Sequence, residues 1–220
     1  MNFIQLVNDV RRESSVSGSS VTTTVSQTGE FARLVKWVQR AYEDIQSAYM
    51  DWFFLHKEST FTTVIGQRRV TPPTDLNIWD VEKFYDAAGN KMHVMYRNQV
   101  DWFLDPLKTG KPQTLIIEPN NQILFWPAPD AAYTYTYEYF RKPFQLLVDT
   151  DEPAFPEHFQ KVITGRAMMY YANYESAPEI EKQGMEIYLE ARRNLIAHQT
   201  QDQQQSYGRS SPRDIQIVAQ

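Results

Sequence analysis

The sequence predicts an α+β protein: a helical bundle of about four helices built from both chain ends, with an inserted antiparallel β subdomain and an extended C-terminal tail. Apolar residues recur at helical spacing in the first 50 residues and again after residue 156. Between residues 52 and 144 they alternate instead, and Pro and Gly punctuate short apolar runs. We therefore expect N-terminal helices with a flexible Ser/Thr loop over residues 1–51, the β subdomain over 52–148, a helical hairpin over 149–199 and the tail over 200–220.

Composition excludes several classes of protein. The 220 residues include 22 Lys and Arg against 27 Asp and Glu, giving a formal net charge of −5, and no Cys. Disulfide staples, thiolate nucleophiles and cysteine zinc sites are therefore excluded. No run approaches the roughly 18 apolar residues of a membrane-spanning helix, and the start lacks the pattern of a signal peptide. We expect a protein that has no membrane partner and is made in the cytoplasm.

The helical segments follow from apolar stripes and their start signals. The first helix is expected over residues 2–13, and the Ser/Thr-rich segment 14–28 after it reads as a linker that cannot order itself without a partner. Pro156 and Pro178 each stand where a helix tolerates proline, in its first turn. We expect these two helices to form an antiparallel hairpin. The second helix shows the clearest stripe, made of Phe31, Leu34, Val35, Val38, Tyr42, Ile45 and Tyr49.

The central region predicts seven short strands. Turn residues at 86–90 and 119–121 predict two hairpins. A helical segment is expected over residues 98–104. The strands are expected over residues 60–65, 68–71, 78–85, 91–96, 114–118, 122–126 and 132–140.

The last strand places four tyrosines on one face, because side chains alternate across a strand. Aromatic residues make up 14% of the chain, which favours contact surfaces over chemistry. This face is either packed on the core or presented to a partner such as a tail protein, and the sequence favours the core. Its members are Tyr133, Tyr135, Tyr137 and Tyr139.

The sequence predicts no catalytic, cofactor-binding or metal-binding residues, so we do not expect an enzyme. The four histidines are far apart in sequence and lack a His-Glu-x-x-His pattern. Residues 109–111 resemble the end of a phosphate loop, but Pro112 replaces the Ser or Thr that would bind magnesium. Basic residues occur in scattered pairs and the sequence pI is about 5.4, which argues against direct DNA affinity.

The order of elements and two short stretches resemble the head-to-tail adaptor (connector) proteins of tailed bacteriophages. The first stretch is Phe61-Thr62-Thr63-Val64-Ile65-Gly66-Gln67, followed shortly by Pro73-Thr74-Asp75. The second, Asp151-Glu152-Pro153 with Phe155-Pro156-Glu157, opens the closing helical hairpin. Where many relatives carry an aromatic-x-Leu-Pro after the Gly-Gln, this chain has Arg69-Val70-Thr71-Pro72-Pro73.

This resemblance implies a structural virion protein in the neck, between the capsid portal and the tail. Adaptors form a homo-oligomeric ring of about twelve copies beneath the portal protein. The ring continues the channel, through which packaged DNA passes without specific binding, and offers a platform to the tail or nozzle protein. In relatives the C-terminal segment docks on the portal. In this chain a polar spacer precedes the candidate docking residues Tyr207, Arg209, Arg213, Ile215 and Ile217.

Two other functions stay open at this point. The first is another neck or tail component that also assembles as a ring, such as a nozzle subunit. Aromatic strands that face a sugar would instead indicate a carbohydrate-binding or cell-wall-degrading module, because Trp and Tyr faces stack on sugars. Such an enzyme needs two carboxylates roughly 5 to 10 Å apart, a separation that a sequence pattern does not give.

Overall fold

The computed structural model describes residues 1–105 and 107–207, with side chains up to Gln199. The chain forms two compact units. Met1–Phe54 and the chain from Pro143 onward make up the helical unit, and Leu55–Lys142 makes up the β unit. The predicted α+β class is confirmed. Among the described residues, no helix combines the length and the apolar character needed to cross a membrane.

The helical unit contains α1 (Phe3–Glu13), α2 (Gly29–Ser47), α3 (Lys161–Glu175) and α4 (Pro178–Tyr207). At the start of α1, the Asn2 side chain accepts a hydrogen bond from the Gln5 N–H at 3.0 Å, and the Gln5 side chain accepts one from the Asn2 N–H at 2.8 Å. This capping box pairs two N–H groups that have no partner inside the helix. α3 contacts all three other helices, so it is the centre of the unit.

α4 is longer than the sequence analysis predicted. It continues to Tyr207, so residues 200–207 are helical where the sequence placed the start of an extended tail. The physical reason is that Gln is a fair helix former, and neither Gly nor Pro interrupts the chain before Gly208.

Residues 14–28 are irregular, but side chains of the helical unit hold them in place. The Asn8 amide pairs with the backbone of Val21, donating to its carbonyl at 2.9 Å and accepting from its N–H at 2.8 Å. Arg11 donates to the carbonyls of Val16 and Gly18 at 3.1 and 2.7 Å. Val16 and Val21 are themselves buried. The expectation that this segment needs a partner to order overlooked these anchors, because they come from polar residues of α1.

Two glycines let α3 and α4 approach closely. A Cβ atom added to Gly165 would lie 2.6 Å from the backbone nitrogen of Tyr188 and 2.7 Å from the Gly184 carbonyl oxygen. A Cβ added to Gly184 would lie 2.9 Å from the Cβ of Met168. The hairpin expected from the sequence therefore depends on two positions where only hydrogen fits.

A buried carboxylate joins α1 to α3. Asp9, which is 2% exposed, accepts hydrogen bonds from Lys161 at 2.9 Å and from the Thr164 hydroxyl at 2.8 Å. It also accepts one from Arg12 at 2.5 Å. Burial raises the pKa of Asp9, but the hydrogen bonds and charge of its donors outweigh that effect and hold the pKa below its usual value.

The β unit contains two sheets. Three antiparallel strands form the first in the order β1 (His56–Thr62), β7 (Thr134–Arg141) and β3 (Leu76–Asp86). The second has the order β2 (Arg69–Val70), β6 (Ile123–Trp126), β5 (Thr114–Ile117) and β4 (His93–Tyr96). All seven predicted strands are present, although β1 starts four residues earlier than expected. One pair, β4 with β5, is parallel, so the second sheet is mixed rather than antiparallel.

Both predicted turns form, with different consequences. Residues 119–121 join β5 to β6 in a hairpin, with Ile117 opposite Ile123. At residues 86–90 the Asp86 N–H donates to the Asn90 carbonyl at 2.9 Å. The residues on either side of this turn form a single isolated bridge, between Tyr85 and Lys91. The chain then continues into β4, which belongs to the second sheet. The helix expected over residues 98–104 is absent. A short 3₁₀ turn at Arg97–Gln99 stands at its start, and the described residues after it are irregular.

Replacing Gly165 by Ala should destabilise the helical unit. Alanine favours a helix interior by about 1 kcal/mol over glycine, but its methyl would collide with α4 backbone that cannot move without opening the hairpin. Overpacking of this kind costs about 1 to 3 kcal/mol or more. We expect a net loss of about 2 kcal/mol in urea unfolding followed by circular dichroism at 222 nm. Gln183→Ala, on the exposed side of α4 next to Gly184, is the matched control and should unfold like the wild type.

Replacing Asp9 by Asn should cost about 2 to 3 kcal/mol of unfolding free energy, because it removes the charge that three donors share. A carboxylate with a lowered pKa in the folded state stabilises the protein above its unfolded pKa of about 3.9, and this contribution is lost as the pH falls through the folded pKa. Between pH 5 and pH 2 the wild type should therefore lose stability more steeply than the variant. Glu13→Gln, which alters a more exposed ion pair of Lys161, should change stability by less than about 1 kcal/mol. Parallel pH profiles for wild type and D9N would contradict this account.

Candidate assembly surfaces

The structure resolves where the tyrosine face of β7 lies. Tyr135, Tyr137 and Tyr139 are 0%, 6% and 1% exposed and belong to an apolar cluster that draws side chains from both sheets. Tyr133 is only partly buried and packs at the edge of this cluster. Three of the four tyrosines therefore belong to the core of the β unit.

Phe61 ties this cluster together. Its ring centroid lies 5.3 Å from those of Phe125 and Tyr135 and 5.5 Å from that of Tyr137. Aromatic pairs at such separations contribute about 0.5 to 1.5 kcal/mol each beyond the area they bury. The first residue of the stretch that carries the adaptor resemblance thus packs, partly buried, against the core.

The polar ends of the buried tyrosines have partners. The Tyr139 hydroxyl donates to Asp75 at 2.8 Å, and Asp75 also forms an ion pair with Lys57 at 3.2 Å. The Tyr135 hydroxyl donates to the Pro112 carbonyl at 3.4 Å, and burial raises the pKa of Tyr135 to about 12. These hydroxyls therefore stay protonated at neutral pH. Such a buried face offers no surface on which a sugar could stack, so the carbohydrate-binding alternative loses the feature that suggested it.

Two loops of the β unit expose apolar side chains. Val64 and Ile65 are 61% and 71% exposed, at a turn where Gly66 has a φ of +75° and donates to the Pro129 carbonyl. These residues belong to the resemblance stretch 61–67. In the second loop, Phe103 and Leu107 are 81% and 86% exposed. Exposed apolar groups on loops are typical of protein contact surfaces.

A tryptophan anchors the second loop. The Trp102 ring packs against Trp126 with centroids 6.3 Å apart, and the Lys108 ammonium lies 4.3 Å from the centroid of Trp126. Trp102 and Lys108, which precede and follow the two exposed residues in sequence, therefore both contact Trp126.

The helical unit carries an aromatic and arginine surface on α2 and α3. The Arg33 guanidinium lies 4.6 Å from the ring centroid of Tyr174, and that of Arg40 lies 4.6 Å from Tyr170. Trp37, which stands between Arg33 and Arg40 in the sequence, packs against Tyr174 with ring centroids 5.6 Å apart. Tyr174 is 56% exposed. Stacked Arg and aromatic groups are enriched at protein interfaces.

A second exposed group lies just after α2. Met50 and Phe53 are 66% and 53% exposed, while Trp52 between them is buried and donates its indole N–H to the Ile45 carbonyl at 2.9 Å. Further exposed apolar side chains of this unit are Tyr49, Leu147, Val148, Met185 and Leu189.

The candidate docking residues of the tail lie at or beyond the end of the described part. Tyr207 is the last residue of α4, and its side chain is not described. Arg209, Arg213, Ile215 and Ile217 lie outside the described residues. They remain an expectation drawn from the sequence.

Sequence reasoning missed the exposed loop residues. The hydrophobic runs that contain Val64, Ile65 and Phe103 read as strand or helix, and periodicity does not separate a buried apolar residue from an exposed one. The Gly66 after the first pair was the available signal, because glycine at a turn ends a strand and leaves the preceding side chains at the loop tip.

The model of the SU10 adaptor protein family matches residues 1–215 of the chain. A search of curated proteins finds no match. The family match covers both units.

Replacing Tyr135 by Ala should unfold the β unit, because it removes a fully buried ring and leaves a cavity. Large-to-small changes at such sites cost about 3 to 5 kcal/mol. The matched control is Tyr133→Ala, on the same face of the chain but partly exposed, which should cost less than about 1.5 kcal/mol. Near-ultraviolet circular dichroism during thermal unfolding measures both. Equal melting of the two variants would show that the face is not core.

Proposed function

The chain belongs to the SU10 adaptor protein family, and from that premise we propose that it is a head-to-tail adaptor that forms a ring beneath the portal of a tailed bacteriophage. The family match over residues 1–215 is the observation that carries this proposal. The ring would contain about twelve copies, continue the DNA channel and give the tail or nozzle protein its attachment platform.

The exposed surfaces support assembly through several contacts. A closed ring needs two different faces on each subunit, because the contact is head to tail around the circle. The exposed apolar groups lie on separate elements: the loop at Val64 and Ile65, the loop at Phe103 and Leu107, and the Arg and aromatic surface of α2 and α3. The proposal assigns these groups to contacts with neighbouring subunits and neck proteins.

The charge of the chain supports a channel that does not hold DNA. Affinity for duplex DNA comes mainly from Lys and Arg that neutralise phosphates and release counterions. A net charge of −5 provides little of that affinity. Weak contact suits a channel through which DNA must slide.

The C-terminal residues are proposed to dock on the portal. After α4 the chain combines basic residues with Ile215 and Ile217, a composition suited to a segment that orders on binding. A segment that orders on binding would lose conformational entropy only on docking, so contact with the portal would couple ring formation to a completed portal vertex.

Electron microscopy of the purified protein mixed with the portal ring of the same virion tests this function. We expect a second ring stacked coaxially on the portal. Protein that lacks residues 207–220 should leave portal rings bare, while its circular dichroism and melting temperature stay those of the full chain. Bare portal rings at high excess of the full-length protein would contradict the adaptor position and favour a nozzle subunit.

A matched pair of variants tests the tail more finely. The double variant Ile215→Asp and Ile217→Asp should weaken portal binding at least tenfold, because it places charge where apolar contact is proposed. Gln216→Asp with Gln220→Asp adds the same charge but keeps both isoleucines, and should bind like the wild type. If the two pairs bind alike, the isoleucines do not dock.

A further inference from the structure

Three side chains that can bind a metal meet on the three-stranded sheet. They are His56 on β1, Asp80 on β3 and Glu138 on β7, and one ligand atom of each lies within 4.8 Å of the other two. The His56 Nε2 and the nearest Glu138 oxygen are 2.8 Å apart. Among the residues that the structure describes, this is the one such group of three or more. The sequence gives no hint of it, because the three residues are 24 and 58 positions apart.

Strand register brings these residues together. β7 lies between β1 and β3, so each edge strand contributes one residue beside the central Glu138. His56 pairs with Phe140, which stands two positions from Glu138 and therefore on the same face. The buried tyrosines occupy the opposite face of β7, so the cluster stands on the face away from the core.

The surroundings of the cluster are rich in negative charge. Glu58 stands directly opposite Glu138 in the register, and like charges in that position repel. Lys91 is near enough to Asp80 to be influenced by its charge, but its ammonium is bonded to Glu82. Two carboxylates thus meet one imidazole, with a third acidic residue, Glu58, opposite Glu138 on the neighbouring strand, and a divalent cation would stabilise this arrangement.

The geometry fits a small transition-metal ion. Tetrahedral zinc, with ligands at about 2.0 to 2.2 Å, separates its ligand atoms by roughly 3.4 Å. Separations of 2.8 to 4.8 Å reach that value through small side-chain rotations. His56 and Glu138 are each about one-fifth exposed, so an ion can enter from solvent. The Glu82 N–H donates to Asp80 at 3.1 Å and helps to hold this carboxylate in position.

We propose that His56, Asp80 and Glu138 bind one Zn²⁺ ion, which ties the two edge strands of this sheet to its central strand. The imidazole selects zinc or a similar ion over Mg²⁺ and Ca²⁺, which prefer oxygen ligands alone. Water completes the coordination. The role is structural, and it does not depend on the adaptor function.

Isothermal titration of the full-length, metal-free protein with ZnCl₂ tests the site. We expect one equivalent to bind and the melting temperature to rise, because an ion that binds only the folded state stabilises it. His56→Ala should weaken binding at least tenfold and abolish the rise. His93→Ala removes an exposed histidine of the same unit and should bind zinc like the wild type. MgCl₂ should produce neither effect.

Further variants separate the ligands from general metal binding. Glu138→Gln and Asp80→Asn keep side-chain size while removing charge, and each should weaken binding at least tenfold without lowering the metal-free melting temperature by more than a few degrees. His158 and His198, whose rings lie 6.4 Å apart, are the competing pair of histidines. If His198→Ala abolishes binding and His56→Ala does not, or if the wild type binds no zinc, the proposal is wrong.

Discussion

The close approach of α3 and α4 is the constraint on which the helical unit depends. Gly165 and Gly184 bring the two backbones so near that a methyl group would collide with main-chain atoms. Besides α4, α3 also packs against α1 and α2. Asp9 of α1 is bound by Thr164, the neighbour of Gly165. The position of α1 is therefore fixed by a polar contact one residue from the tightest packing in the hairpin.

In the β unit the comparable constraint is the alternation along β7. Its tyrosines face the core, so the strand can be central in its sheet and still contribute the largest buried rings. The opposite face of β7 carries Thr134, Thr136, Glu138 and Phe140, and on it Glu138 lies between the two edge strands. The alternation of side chains along β7 therefore determines which residues enter the core and which polar groups meet on the other face of the sheet.

How much of the fold the sequence predicts depends on the range of the interactions involved. Helical and strand periods are local, so the presence of all four helices and all seven strands is predictable, although α4 continues past its expected end at residue 199 to Tyr207 and the helix expected over residues 98–104 is absent. The family resemblance, carried by residues 61–67 and 151–157, is likewise local and is confirmed by the family match. α3 shows the limit of periodicity: its stripe indicates one buried face, yet buried residues also include Thr164, Gly165 and Met168, because three helices surround it.

Contacts between distant residues are not predictable in this way. The parallel pairing of β4 with β5 depends on where the chain travels between residues 97 and 113. The anchoring of residues 14–28 by Asn8 and Arg11 depends on polar side chains that carry no periodic signal. The grouping of His56 with Asp80 and Glu138 depends on a register that only the folded sheet defines.

The distribution of exposed apolar groups bears on the assembly that the proposed function requires. The aromatic cluster of the β unit is buried, and the exposed apolar side chains of the described residues lie on separate loops and helices. Specific protein interfaces bury roughly 800 Å² on each partner, which is more than a single pair of exposed loop side chains provides. Under the proposed function a subunit would meet a neighbour and the portal at once, and each contact would then raise the effective concentration for the next. Under the proposed function, weak and dispersed surfaces therefore favour assembly only at the site where all partners are present.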